Sequence, residues 1–442
     1  MKETAIFFLL VIQVFLIETS LNAIGMSLPE GKEIIIKPSG TEFSTKVIQK
    51  AIDDCAASGG GIVRLTTGVY YSGTINFRDN ITLQLDEGAY ITGSKEYSDY
   101  SNDAFFYGRD LKNIRITGKG TIDGVDCRNN KGEEGFRGPH CIKLVSCSQI
   151  SIEGITIKNS ANWAINCRYC SYGIVTNVTI LGGHDGLHTR FCNNFKAKGC
   201  DFRTGDDSFA GNDNHDFEIS DCLINTSCNG FRMGCMNLLV ERCRFWGPGE
   251  YRHISQNRTN MLSAFVHFSP KDENPKLVSG NWTIKEITVE NVDNFFVYNF
   301  KDGLWQTGQP FSSVTFDNIK ATGILKAFYI KGDSSRQFSM SLTNSEFSVH
   351  DSNKKKTSFE GAGLISSEFF YIQDFNSVEL KNVDLSENSP GKILKADSGN
   401  LMLIENVSFK NDKSLYPLQL AGIKDQKVQN ILLNNNKLKY KP

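Results

Sequence analysis

Five segments, ISIEGITI (150–157), GIVTNVTI (173–180), FKAKGCDF (195–202), FEISDCLI (217–224) and LLVERCRF (238–245), repeat one pattern. Each alternates apolar and polar residues, as a strand with one buried face does. Asn, Gly, Asp or Arg falls near the same place in each, and the period is 21 to 23 residues. Weaker copies continue as IKEITVENV, SVTFDNI, SLTNSEF, SVELKNVDL, LIENVSF and ILLNNNKL. A unit this short cannot bury its own apolar face, so it must stack on its neighbours as a solenoid. A leucine-rich solenoid needs a Leu consensus and helical return legs, and neither is present. The pattern therefore predicts an all-β chain, a single-stranded right-handed parallel β-helix. Equivalent positions of successive coils should lie ~4.8 Å apart.

The cysteines obey the same period. Cys147, Cys170 and Cys192 are 23 and 22 apart, and Cys200, Cys222 and Cys243 are 22 and 21 apart. Thiols recurring once per coil read as buried stacking residues rather than a disulfide framework. A disulfide among Cys55, Cys127, Cys141 or Cys167 stays open at this point. No pair of CxxC motifs has zinc-site spacing.

The start of the chain differs. One Lys precedes an apolar run from Ala5 to Ile17, and small residues close it at Ala23. The run is too short for a membrane span and fits a cleaved secretory signal, residues 1–23. Residues 24–442 show no linker or composition break, so one β-helix domain is expected, secreted or periplasmic and monomeric. TKVIQKAIDDCAAS places Val47, Ile48, Ala51, Ile52 and Cys55 at helical spacing before three glycines. This predicts a helix near 44–57 capping the open end of the solenoid. A formal net charge of -1 supplies no basic field for nucleic acid or an anionic membrane.

The coil period also aligns chemistry. Asp207, in RTGDDSFAG, lies 22 residues after Asp185 and 22 before Asn229, and Asn162 is expected one coil before Asp185. With Asp206 adjacent, three carboxylates on two coils share a small surface. Asp is ordinary in solenoid turns. Three in register between glycines are costly unless used, because crowded carboxylates push one pKa upward. An acid beside a base is what glycosidic hydrolysis requires. An open groove is expected, with acid and base about 6.5–9.5 Å apart if the reaction inverts.

IQKAIDDCAASGGGIVRLTTGVYYSGTINFRDNITLQLDEGAYITGS, NIRITGKGTIDG and the 147–163 segment resemble the glycoside hydrolase family 28 polygalacturonases. The likeness spans most of residues 40–245. It implies the same fold and a metal-free, cofactor-free inverting hydrolysis of a polysaccharide or oligosaccharide. It also implies Asp206 as general acid, with Asp185 and Asp207 holding the water. Three family motifs diverge: Gly183 and His184 stand where the first has Asn and Thr before its Asp. Gly-His-Gly is replaced by CNG, making Asn229 the counterpart of its His. The Arg-x-Lys coil, which grips the sugar carboxylate, reads SAFVHF (263–268). Arg232, in the column 188, 210, 232, is the candidate replacement grip, and His188 a candidate for sugar hydroxyls. The expected substrate is a pectin-related or other acidic glycan that differs from plain galacturonan at the scissile bond. Two rivals share the fold: a Ca²⁺-dependent lyase and a carbohydrate-binding protein without catalysis.

Overall fold

The computed structural model describes residues 31–40, 42–268, 278–300, 309–349, 368–387, 392–413 and 416–440. The expected signal segment, 1–23, lies outside them. The described chain is a right-handed parallel β-helix, nearly all strand. Every strand pairing is parallel except the last, between Leu418–Leu433 and Asn436–Lys437. Each coil visits three sheets in turn. The first contains Ala104–Arg109, His140–Val145, Ile165–Arg168 and Leu187–Arg190. The second contains Ser148–Glu153, Ser171–Thr176 and Asn193–Lys198. The third contains Thr156–Lys158, Thr179–Gly182, Asp201–Thr204 and Leu223–Thr226.

The alternation seen in the sequence sets which side chains turn inward. Leu187 stacks on Phe209 and Phe209 on Phe231 in register. The two phenyl rings lie 4.6 Å apart at 10°, and Phe195 stacks likewise on Phe217 at 5.3 Å. Rings repeated at one coil position bury large apolar areas against copies of themselves, each side chain contributing about 1.5–3 kcal/mol. All twelve cysteines are buried free thiols, which closes the disulfide question.

The weak C-terminal repeats form strands too, with turns held by an asparagine ladder. Asn344, Asn382, Asn406 and Asn430 adopt positive φ and pass amide hydrogen bonds of 3.0, 3.0 and 3.1 Å from coil to coil. Asn tolerates this left-handed conformation better than other residues with a Cβ.

At the N-terminal end the helix Thr45–Ala57 packs on the strands Lys32–Ile36 and Gly61–Leu65. Ile48, Ala51, Ile52 and Cys55 are buried as expected. Val47 instead faces solvent, 53% exposed, because the buried stripe is narrower than the apolar run. Among the described residues no helix is long and apolar enough to cross a membrane.

Candidate active site

The acids occupy the corner where each coil passes from the third sheet to the first. Residues 183–186 connect Thr179–Gly182 to Leu187–Arg190, and 205–208 make the same corner one coil later. Gly186 N–H donates to Asp207 O at 2.9 Å, and Ser208 N–H to Asn229 O at 3.0 Å. These bonds stack Asp185, Asp207 and Asn229 as the period implies. One coil earlier, Ala164 N–H donates to Asp185 O. The register Ile165↔Leu187 then puts Trp163 there, where Asn162 was expected, since these coils differ by 22 residues rather than 23.

Asp185, Asp206 and Asp207 each offer an oxygen within 4.8 Å of the others. That is closer than the separation expected of an inverting pair. Nor do they line an open groove. Asp185 is 2% exposed and Asp207 1%, and only the Asp206 side chain reaches solvent, at 15%. Neighbouring side chains roof the corner. Arg232 Nε donates to Asp207 Oδ2 while its guanidinium packs 4.1 Å from the centre of the Phe268 ring. Arg137, from the 124–139 excursion, places Nη2 3.3 Å from Asp206 Oδ2 and Nη1 3.3 Å from both Asn162 Oδ1 and His184 Nδ1. Two guanidiniums among three carboxylates leave this cluster poorly suited to a Ca²⁺ ion, whose charge they would oppose.

The other candidate residues are placed as follows. His188 is buried beneath Trp163, with the rings 3.4 Å apart and 3° from parallel, and its Nδ1 lies 2.7 Å from Asp185 Oδ2. It contacts the acid rather than the solvent side. Asn229 is fully buried and donates its amide to Asp207 Oδ1 at 2.8 Å. Arg232 keeps a partly exposed face, 19%, in register with Ala210 and thus in the column of His188.

The sequence reading singled out neither Arg137 nor His253, yet both approach Asp206. His253 Nε2 lies 3.5 Å from Asp206 Oδ1. Cys228 completes a group whose ligand atoms also fall within 4.8 Å. The donor chemistry there does not fit a metal ion. His253 Nδ1 accepts from Gln256 N–H at 3.2 Å, so the neutral ring carries its proton on Nε2, facing Asp206. A ligating imidazole needs the opposite arrangement. Arg258 Nη2 also occupies the approach to Cys228 Sγ, at 3.3 Å.

The charges sort the protons. Burial raises the Asp185 pKa well above the carboxylate range, and the charges of Asp206 and Asp207 push it further. Burial also drives His188 well below its usual value, assisted by Arg190 and Arg232. The Asp185–His188 bond therefore holds one proton between two groups that both resist charge. Burial pushes Asp206 the same way, but His253, Arg137 and Arg232 outweigh it and hold that carboxyl ionised. His184 falls to about 3 through burial and the Arg137 charge.

The protein is a parallel β-helix that carries a buried carboxyl cluster with cationic partners at one corner. Residues 55–236 match the family described as glycosyl hydrolases family 28. An exo-poly-alpha-D-galacturonosidase of Dickeya chrysanthemi is 31% identical over 153 residues, 29% of this chain and 25% of that protein. A polygalacturonase of Ralstonia solanacearum is 24% identical over 168 residues, 29% of this chain and 31% of that one. The chain thus aligns with a third or less of either relative's length. The fold is shared more widely. An exopolygalacturonase from Thermotoga maritima superposes with a TM-score of 0.64 at 16% identity, covering 83% of this chain and 94% of that one. A tailspike protein of bacteriophage HK620, solved with a pentasaccharide, gives 0.53 at 15%, covering 88% and 76%.

Proposed function

We propose that the chain is an exported glycoside hydrolase acting on a pectin-related acidic glycan through Asp185, Asp206 and Asp207. The observation that carries this reading is the cluster itself: three carboxyls within 4.8 Å, two of them buried, on consecutive coils. Crowding charge in a buried corner costs stability and supplies a retained proton beside the ionised Asp206 carboxylate. Asp206 is the carboxyl that reaches solvent, so it addresses the glycosidic oxygen, and Asp185 supplies the proton from less than 4.8 Å behind. Asp207, fixed by Asn229 and Arg232, orients the water.

A cationic track on the first sheet supports an acidic substrate. Arg109, Arg168 and Arg190 share one outward column, with Val145 between the first two, and Lys143 stands two residues before Val145 on its strand. Coils ~4.8 Å apart offer repeated charges to a chain of uronates. Arg232, in the column of Lys143 and His188 and two coils beyond His188, lies beside the acids and takes the place of the absent Arg-x-Lys as carboxylate grip. The two guanidiniums on the carboxyl cluster weigh against the Ca²⁺-dependent lyase.

A reducing-end assay over a glycan panel, with Asp206→Asn as control, tests the reading. Hydrolysis of acidic glycans that the variant loses is expected, with unmodified polygalacturonan a poor substrate. Fast cleavage of plain polygalacturonan would defeat the altered specificity. Binding without turnover across the panel would support the non-catalytic alternative.

A further inference from the structure

The CNG motif leaves the acid cluster without the imidazole on the coil where family resemblance implies one. The structure puts an imidazole against Asp206 from elsewhere. Residues 247–262, between Arg244–Trp246 and Ser263–His267, leave the solenoid and fold back over the two acid-bearing corners. Gly183 and Gly205 make room for them. A Cβ at Gly183 would lie 2.5 Å from Ile254 Cδ1, and one at Gly205 would run into the carbonyl oxygen of Arg252. The excursion is pinned on both sides of His253. Ser227 Oγ donates to Tyr251 O at 2.5 Å and Glu250 N–H to Asn225 Oδ1 at 2.7 Å. The Arg258 guanidinium donates to Ser227 O and Asn260 O. Within it, His253 N–H donates to Arg258 O at 3.0 Å and Asn257 N–H to His253 O at 2.8 Å.

We propose that His253 is the positioning residue of the acid cluster: its Nε2–H holds Asp206 Oδ1, while Arg137 holds Oδ2. The ring is 5% exposed, and its tautomer is set by Ser255 and Gln256 on Nδ1. Asp206 is thereby gripped at both oxygens by groups the repeat does not encode. The glycines flanking the acids serve the same end, since side chains there would lift the segment carrying His253. The titratable and charged groups nearest the ring are Asp206, Cys228 and His184 from the coils, with Arg258 from its own segment.

This inference rests on the hydrolase reading for its catalytic consequence, but its structural half is tested without turnover. In full-length protein labelled with ¹⁵N-histidine, the His253 resonances are assigned by comparison with His253→Gln. Asp206→Asn should then move the His253 Nε2 resonance while leaving Nδ1 little changed, because the acceptor facing Nε2–H loses its charge. An unmoved Nε2 resonance would overturn the proposal. On the glycan hydrolysed by the wild type, His253→Ala should lower kcat about 10²-fold with KM little changed. It should also shift the acidic limb of the kcat profile, and His253→Gln, whose amide can still donate, should restore part of the rate. A fall in thermal stability with an unshifted limb and no rescue by Gln would mark His253 as merely structural and overturn it. A wild type inert on every glycan defeats the hydrolase reading, whereas the Nε2 resonance still decides the His253–Asp206 contact.

Discussion

Single side chains at the corner trade stability for chemistry. Asp185 has a folded-state pKa raised above its unfolded value, so the native state holds the extra proton. Stability then falls as pH rises from the unfolded carboxylate range, ~3.9, towards the raised folded value. Asp185→Asn removes that fall. It should stabilise the protein at neutral pH by about 0.5–2 kcal/mol in chemical denaturation, with little gain at pH 3, and abolish turnover. Loss of the same proton sets the alkaline limb of activity, which should lie above the ordinary carboxylate range. Arg232 plays the opposite part. Arg232→Met strands the buried Asp207 carboxylate and should cost about 3–5 kcal/mol, and adding Asp207→Asn should recover part of this. The acids were legible in the sequence because 22-residue spacing aligns 185 with 207. Arg137 and His253 were not, because they stand on excursions between strands where no period constrains their position. The same excursions explain why the corner is roofed although its turns read as open.

Among the elements, the strands announce themselves and the segments joining them do not. Period-two alternation located even the weak C-terminal strands, and helical spacing located Thr45–Ala57. Four of the five apolar helix positions are buried, while Val47 shows that spacing gives a stripe without giving its width. Packing accounts for the corner glycines. Gly205→Ala would press on the carbonyls of Gly183 and Arg252. A loss of about 1–3 kcal/mol is expected, read from denaturant midpoints, together with reduced activity as the 247–262 segment lifts. A stable, fully active variant would show that the segment has slack to absorb the methyl.

The whole molecule is a stack whose core is continuous from the N-terminal helix to the strand Leu418–Leu433. Its twelve thiols are structural through burial, not through oxidation. Reducing agent should therefore leave the melting temperature unchanged, and a thiol reagent should react only once the chain unfolds. A marked loss of stability on reduction would mean that disulfides form after all. The central claim is that the stacked carboxyls hydrolyse a glycosidic bond. Its most direct test is ¹H NMR of an acidic oligosaccharide during turnover by the wild type and by Asp206→Asn. Saturated products with new reducing ends from the wild type, and none from the variant, are expected. Unsaturated, UV-absorbing ends, or equal turnover by Asp206→Asn, would contradict it.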